Sequence, residues 1–167
     1  NQDDIILRHQ HMVDIDVVQL GIVDGIERAH YQALLDRTRN QLEISIEAAR
    51  RLLNDHQFDV QENPVLRLQA IRNAVDNVGN LNILDVNARV CYRKLLLELD
   101  EGVIGSIRTA QELFGRHAFN QKDPLIHERE IDEAIGNIVF LNIPDQDVRY
   151  HYRQLLINSS RVKQDVD

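Results

Sequence analysis

One stretch of the sequence has the spacing of a di-iron ligand element. Glu27 and His30 form an E-x-x-H pattern, which places a carboxylate and an imidazole one helical turn apart. Carboxylate-bridged di-iron bundles need two such elements together with two further inward-facing acids. The chain contains no second E-x-x-H pattern. The sequence therefore predicts no di-iron site.

A second group of potential metal ligands lies close to the first residue. His9 and His11 have Asp14 and Asp16 nearby, and imidazoles with carboxylates form a donor set that transition metals accept. Residues two apart on a helix point in different directions, so this spacing suits a shared ion poorly. We therefore expect a solvated N-terminal turn and no bound metal.

The candidate nucleophiles lack the surroundings that would activate them. Cys91 falls within an apolar helical stripe, which is typical of an inert, half-buried thiol. None of the four serines lies in the G-x-S-x-G turn of a hydrolase. The chain also has no phosphate-binding loop and no G-x-G-x-x-G pattern. The sequence thus predicts a protein that is not an enzyme and that uses no cofactor.

Charge and composition exclude further classes of function. The 167 residues include 27 acidic and 19 basic side chains, for a net charge of -8. A surface of this sign repels phosphate backbones, so we expect no nucleic-acid partner, whereas a protein partner would present a basic face. No apolar run is long enough to predict a membrane span. The single cysteine excludes an intramolecular disulfide and a cysteine-based zinc site.

An internal repeat organises the chain. Residues 64–97 match residues 124–157 at 13 of 34 positions when shifted by 60, where chance would give roughly two matches. A third, divergent copy near the N-terminus shares the pattern I-x-D-x3-R-x2-Y-x2-L-L at a shift of 61. We therefore divide the chain into a divergent first unit at 1–62, a second unit at 63–122 and a truncated third unit at 123–167, which together bury one continuous core.

Each unit carries an aspartate, an arginine and a tyrosine at the same spacing. The aspartate and the arginine are four residues apart, which allows a modest ion pair on an exposed helix face. The tyrosine continues the apolar stripe, where its hydroxyl can reach a polar partner. Stacking of units requires a recurring set, whereas an active site gathers different side chains at one place, so we interpret the set as structural. Its members are Asp24, Arg28, Tyr31, Asp85, Arg89, Tyr92, Asp145, Arg149 and Tyr152.

Local signals place the ends of several helices. Asn63 and Asp123 each precede a proline, which predicts a capped helix start with proline at the first helical position. Asn82 has an amide oxygen that can cap the next helix, and the same motif recurs sixty residues later. His56 and His117 recur at the end of the third helix of a unit, where a donor group suits the free carbonyls.

These patterns predict an all-α fold of about eight helices, arranged as stacked helical bundles or as a short superhelix. Apolar residues recur at the spacing of one helical face, and no stretch alternates as a strand would. Connections are short, which favours antiparallel neighbours. The predicted helices lie near 3–18, 23–38, 41–55, 64–79, 84–99, 103–116, 124–139 and 145–160.

Binding to another protein is the leading functional hypothesis. Stacked helical repeats typically present an extended surface to a partner, so we expect a non-enzymatic binder or inhibitor of a target protein. The alternative is a carrier of a small hydrophobic ligand, because helical bundles can enclose apolar cavities. A third possibility is a structural module that associates with its own copies.

Two features bear on the compartment in which the protein works. Residue 1 is asparagine rather than methionine, which fits either a removed leader or a trimmed chain. The triplet that begins at Asn158 matches the acceptor pattern for N-glycosylation. We therefore expect an extracellular, secreted protein, with a cytoplasmic one as the alternative.

Overall fold

A computed structural model describes residues 25–160 of the chain, and helices contain 83% of them. None of these described residues lies in a strand, which confirms the all-α class for this part of the chain. The α-helices are α1 (Gly25–Asp55), α2 (Pro64–Asn77), α3 (Val86–Gly115), α4 (Pro124–Asn137) and α5 (Gln146–Ser159). Short 3-10 turns occupy Phe58–Val60, Val78–Asn80 and Ile138–Leu141.

The predicted number of eight helices is wrong for the described residues, which form five. The helix α1 runs through the predicted boundary between 23–38 and 41–55, and α3 runs through the one between 84–99 and 103–116. The predicted helix at 3–18 lies outside the described residues.

Both long helices continue because nothing at the predicted boundaries interrupts their backbone hydrogen bonds. No proline occurs there, and Gly102 costs a helix only about 1 kcal/mol relative to alanine. Local side-chain pairs support the continuous helix, since Asp36 binds both Gln32 and Arg39.

Helices α2 and α4 begin as their sequence predicts. Asn63 Oδ1 accepts a hydrogen bond from the backbone N–H of Val65 at 3.0 Å. Asp123 Oδ1 accepts from the N–H groups of Leu125 and Ile126 at 2.9 and 3.4 Å. A proline follows each capping residue, at the position where the helix requires no N–H donor.

Helices α3 and α5 are capped by aspartates rather than by the predicted asparagines. Asp85 and Asp145 each lie immediately before the first helical residue, so their carboxylates reach the free N–H groups of the first turn. Asn142 lies three residues earlier than Asp145, in a left-handed conformation with φ 51°. An asparagine tolerates that conformation, which ends the preceding turn instead of starting the helix.

The described residues fall into two compact units. The first comprises 25–57 and 74–97, and the second comprises 58–73 and 98–160. These boundaries differ from the repeat boundaries at 62 and 122, which stay a prediction. Residues of α2 and of α3 occur in both compact units.

In the first compact unit, apolar side chains of α1 and α3 provide most of the buried residues. Ser45 is a polar residue among them and is fully buried. The buried apolar residues of this unit are Leu42, Ile46, Ala49, Val78, Ala88, Cys91, Tyr92 and Leu96.

In the second compact unit, side chains of α3, α4 and α5 form a single apolar cluster. Full burial of one large apolar side chain contributes about 1.5–3 kcal/mol, so this cluster is a major source of stability. Two ion pairs flank the unit, Arg67 with Asp147 at 2.6 Å and Arg72 with Asp100 at 2.9 Å. The buried members of the cluster are Ala110, Ile131, Ala134, Ile138, Val148, Tyr152 and Leu156.

Across residues 25–160, none of the helices has the combined length and apolar character needed to cross a lipid bilayer.

Candidate functional site

The aspartate of the recurring set joins two helices in the first compact unit. Asp85 Oδ2 accepts a hydrogen bond from the hydroxyl of Ser45 at 2.6 Å, and Ser45 is fully buried on α1. The other carboxylate oxygen accepts from the backbone N–H groups of Asn87 and Ala88 at 3.0 and 3.2 Å. One carboxylate thus caps α3 and fixes α1 against it.

The second compact unit contains the same arrangement sixty residues later. Asp145 Oδ2 accepts a hydrogen bond from the Ser106 hydroxyl at 2.5 Å, while Oδ1 accepts from the N–H groups of Asp147 and Val148 at 2.9 and 3.4 Å. The sequence analysis missed the two serines. Ser45 and Ser106 lie 61 residues apart, so the repeat shift itself was the signal that could have found them.

These hydrogen bonds stabilise the ionised carboxylates. The hydrogen bond from Ser45 is the main cause that lowers the pKa of Asp85. At Asp145, burial acts to raise the pKa, but the hydrogen bonds from Ser106 and two backbone N–H groups, with the charge of Arg149, bring it below the ordinary value. Both carboxylates are therefore ionised more readily in the folded chain than in the unfolded chain.

The lowered pKa values predict a loss of stability in acid. A group whose pKa is lower in the folded state stabilises the fold above its unfolded pKa, here 3.8, and that stabilisation disappears as the pH falls through the folded value. We expect the free energy of unfolding, measured by urea titration, to decrease below about pH 4.

The variant Asp85→Asn/Asp145→Asn identifies the responsible groups. It should be less stable at neutral pH and should lose less stability in acid than the unaltered chain. Asp59→Asn, which changes an exposed aspartate, is the control. An unchanged acid dependence in the double variant would assign the effect to other carboxylates.

The two described tyrosines that are buried have equivalent surroundings. Tyr92 Oη shares a hydrogen bond with His56 Nε2, and Tyr152 Oη shares one with His117 Nε2. In both pairs the ring centroids lie 5.9 Å apart, with the ring planes 9° and 11° from parallel. Burial raises the pKa of both tyrosines. Each hydroxyl therefore keeps its proton and serves as a structural hydrogen-bonding group.

The other members of the recurring set do not all have equivalent surroundings. Asp24 lies outside the described residues, while Arg28 and Tyr31 lie half-buried on α1. Asp85 and Asp145 bind the serines described above rather than forming direct ion pairs with Arg89 and Arg149 within the described residues. The structure thus places these aspartates at helix starts and the arginines on a solvent-facing side.

Two of those arginines line equivalent surface grooves. The first groove lies where α2 turns into α3 and has a volume of about 440 Å³. Arg89 and Arg93 lie one helical turn apart in its wall, together with Asp76. The apolar part of the lining consists of Val75, Val78 and Val90.

The second groove occupies the same place between α4 and α5 and is larger, about 890 Å³. Arg149 and Arg153 correspond to Arg89 and Arg93 at a shift of 60, and Gly136 stands where the first groove has Asp76. Its polar lining further includes Asn142, Gln146 and Tyr150. The apolar lining is Ile135, Ile138, Val139, Ile143 and Pro144.

The fold aligns these arginines by burying the opposite side of their helix. On α5, Val148, Tyr152 and Leu156 pack into the apolar cluster, which leaves Arg149 half-buried and Arg153 exposed in the groove wall. Arg149 Nη1 also donates a hydrogen bond to the carbonyl oxygen of Ile143.

An exposed apolar run lies beside the second groove. Val139, Phe140 and Leu141 follow the buried Ile138 in the 3-10 turn, and their exposed fractions are 79%, 77% and 49%. Three consecutive exposed apolar residues at a groove rim are typical of a contact surface for another molecule. This surface was not predicted from the sequence, where the predicted helix 124–139 ended at Val139 and no role was assigned to Phe140 and Leu141.

His151 has a half-buried ring without a complete set of hydrogen bonds. Its Nε2 atom is buried and has no hydrogen-bond partner. Burial lowers the pKa of this imidazole, so the folded protein favours its neutral form. The equivalent position in the preceding repeat is Cys91, which is buried and apolar.

The substitution His151→Cys is expected to stabilise the chain. It removes the unpaired nitrogen and introduces the side chain found at the equivalent buried position, so we expect about 1 kcal/mol of added stability at neutral pH. The gain should increase as the pH falls below about 6.5, because the unfolded histidine binds a proton more readily than the folded one. Urea titrations at two pH values measure both effects, and a destabilised variant would contradict the prediction.

The structure also locates the other candidate residues. Glu27 and His30 are exposed on α1, and Cys91 is fully buried in α3. The candidate metal ligands His9, His11, Asp14 and Asp16 lie outside the described residues. Within residues 25–160, no three histidine, cysteine or acidic side chains form a group suited to hold a metal ion.

The first turns of α4 are tied to the end of α5. His127 has a ring nitrogen 2.9 Å from the Asn120 carbonyl oxygen and the other 3.1 Å from the Ser159 carbonyl oxygen. The Ser160 hydroxyl donates to Glu128 Oε2 at 2.6 Å. These contacts hold the start of α4 against the end of α5.

Comparison with known proteins reveals no relative. No family model matches the chain, and neither a curated protein nor a solved structure shows significant similarity to it.

Proposed function

We propose that this protein is a non-enzymatic helical-repeat protein that binds another protein and acts as a binder or inhibitor of that target. The observation that carries the proposal is the second groove with its exposed rim. A groove of about 890 Å³ beside Val139, Phe140 and Leu141 offers an apolar contact surface with polar groups around it. Such a surface suits a protein partner, whose contact area commonly has an apolar centre and a polar rim.

The proposal includes the repeat architecture, with units at 1–62, 63–122 and 123–167 that stack as bundles or as a short superhelix. Its support is the recurrence of contacts at the repeat shift. The serine–aspartate bond, the histidine–tyrosine pair and the two-arginine groove each occur twice. Equivalent contacts that recur in this way are what stacking of similar units requires.

Secretion forms a further part of the proposal. Asn158 is exposed near the end of α5, where an enzyme could reach its side chain. In an extracellular setting the protein would act by occupying the surface of its target. Expression of the chain with a secretion leader in eukaryotic cells, followed by removal of N-glycans, should reduce the mass of the product. A product of unmodified mass would remove this support for secretion.

A binding screen against extracellular proteins, followed by surface variants, tests the function. Phe140→Ser is expected to weaken binding to the identified partner about tenfold, because it removes an apolar side chain from the centre of the contact surface. Leu84→Ser is the matched control, since Leu84 is 96% exposed and does not line either groove. Calorimetry or surface plasmon resonance measures both affinities.

Three results would contradict the proposed function. Equal affinity of the Phe140→Ser variant and the unaltered chain would exclude this surface. A turnover activity that depends on one side chain would identify an enzyme. A small apolar molecule that co-purifies in the second groove would support a carrier instead.

A further inference from the structure

The two grooves combine positive charge with an apolar floor on a protein whose net charge is -8. The first groove contains two arginines and one aspartate, and the second contains two arginines and no acidic side chain. The local charge is therefore opposite to the overall charge, so the grooves favour a different partner surface from the basic face expected from the net charge alone. We propose that the grooves bind acidic segments of the partner protein, so that arginines contact carboxylates while the floor receives a neighbouring apolar side chain. This inference rests on the proposed function and names the chemistry of its partner.

The arginines are available for such a contact. The guanidinium groups of Arg89, Arg93 and Arg153 form no hydrogen bond or ion pair with any of the residues that the structure describes. Arg149 uses one nitrogen to bind the Ile143 carbonyl oxygen, which leaves other guanidinium N–H groups for a ligand. Arginine presents several donors in a planar fork that matches a carboxylate, so each groove offers two such forks one helical turn apart.

The same pair of arginines occurs in both grooves, which indicates that the pairs are a feature of the site rather than a random surface charge. In both grooves the first arginine is half-buried and the second is exposed. The apolar residues Val75 and Val78 of the first groove correspond to Ile135 and Ile138 of the second. The same charge therefore lies beside the same floor in each unit.

A protein segment fits these features better than other anions. Free phosphate offers charge without an apolar group for the floor. An anionic membrane offers both, but over distances near the Debye length its surface potential repels a protein of net charge -8. A short acidic segment can carry two carboxylates and an apolar side chain while exposing little additional charge.

The two grooves should differ in their affinity for an acidic segment. Asp76 competes with a ligand carboxylate for the arginines of the first groove, whereas the equivalent Gly136 adds no carboxylate to the lining of the second groove. The second groove is also larger and has the exposed apolar rim. We therefore expect it to be the tighter of the two.

A labelled synthetic peptide tests the inference on the full chain. Its glutamates lie four residues apart and flank leucine and phenylalanine, and matched peptides replace every glutamate with glutamine or with lysine. Fluorescence polarisation should show that the glutamate peptide binds about tenfold more tightly than the glutamine peptide, and that added salt removes much of the difference. Equal binding of the two peptides, or tighter binding of the lysine peptide, would overturn the inference.

Arginine variants locate the binding site. Arg149→Gln/Arg153→Gln should weaken binding of the glutamate peptide about tenfold, as expected for the loss of two exposed charge pairs. Arg108→Gln/Arg116→Gln makes the same change of net charge at exposed positions outside both grooves and should leave affinity unchanged. Equal losses in the two variants would show that only overall charge matters.

A second pair of variants keeps the test decisive if the loss of the Arg149 hydrogen bond prevents folding. Arg153→Gln and Arg93→Gln each remove an exposed arginine that has no partner among the described residues, and each should weaken binding about threefold. Asp76→Asn should strengthen binding in the first groove by a similar factor. An Asp76→Asn variant that binds less tightly would contradict the assigned role of this carboxylate.

The remaining controls distinguish a protein segment from other sources of negative charge. They also distinguish failure of this inference from failure of the proposed function. Inorganic phosphate at the peptide concentration should not displace the peptide, and vesicles containing phosphatidylserine should not sediment the protein. Displacement or sedimentation would overturn the choice of a protein segment. With the identified partner, a loss of affinity in Phe140→Ser but not in Arg149→Gln/Arg153→Gln would refute the acidic segment and leave the proposed function intact. No loss in either variant would refute both.

Discussion

The substitution Tyr152→Ala is expected to lower the free energy of unfolding by about 3–5 kcal/mol, the range for removal of a large buried aromatic side chain. Tyr152 is only 2% exposed and packs with α3 and α4 in the second compact unit. Its loss would leave a cavity in the apolar cluster and an unpaired ring nitrogen on His117. Because a domain of this kind has a total stability of about 5–15 kcal/mol, the variant should be largely unfolded in mild denaturant.

The variant Tyr152→Phe distinguishes the contribution of the ring to stability from the contribution of the hydroxyl. It retains the packing of the ring and removes the hydrogen bond with His117, so the expected loss is about 1 kcal/mol. Urea titrations followed by circular dichroism measure both variants. If alanine and phenylalanine had equal effects, the hydroxyl rather than the apolar cluster would determine stability at this position.

The second large loss of stability is expected on replacement of Asp85, the aspartate that joins α1 and α3. Asp85→Ala removes the helix cap and the carboxylate acceptor of the fully buried Ser45 hydroxyl, which then keeps only the Gln41 carbonyl oxygen at 3.1 Å. We therefore expect a loss of about 2–3 kcal/mol. Asp145→Ala removes the same two functions in the second compact unit. Because Ser106 is less buried than Ser45, its hydroxyl can bind water as well as the Gly102 carbonyl oxygen, and the expected loss is about 1–2 kcal/mol.

Serine variants provide the matched controls. Ser45→Ala in the Asp85→Ala background removes a buried hydroxyl whose remaining acceptor is the Gln41 carbonyl oxygen, and it should recover part of the lost stability. Ser106→Ala in the Asp145→Ala background should recover less. The prediction would be wrong if Asp145→Ala were the more destabilising aspartate variant, since the order follows from the burial of the two serines.

Local sequence predicts the beginnings of helices well because the responsible chemistry is itself local. An aspartate or asparagine before proline predicted the starts of α2 and α4, and both caps are present. The same reasoning selected Asn82 over Asp85 for α3, since several polar residues there can accept a hydrogen bond from a free N–H. Only the position of the first helical residue decides among them.

The continuity of α1 and α3 was harder to predict. An apolar stripe records which face of a helix is buried, and this face changes along a helix that packs against different neighbours. The segments on either side of Asn40 and of Gly102 were therefore predicted as separate helices. Backbone hydrogen bonds continue through both positions, because neither contains a proline or a competing cap.

The candidate site depends on contacts that the sequence pattern does not specify. The recurrence of Arg93 as Arg153 was visible at the repeat shift, but the grooves beside them are lined in part by the 3-10 turns that follow α2 and α4, which the sequence did not predict. Likewise, His56 and Tyr92 were each recognised as recurring residues, yet 36 positions separate them and no local pattern pairs them. Such pairing arises from tertiary packing.

The sequence separation of the recurring contacts has a consequence for the order of folding during synthesis. The bonds from Ser45 to Asp85 and from His56 to Tyr92 span 40 and 36 positions, and neither uses a residue beyond Tyr92. The corresponding bonds that end at Asp145 and Tyr152 span 39 and 35 positions. Short separations of this kind reduce the entropy lost on loop closure. On the ribosome, all residues of the earlier pair of bonds are therefore available before the partners of the later pair have been translated.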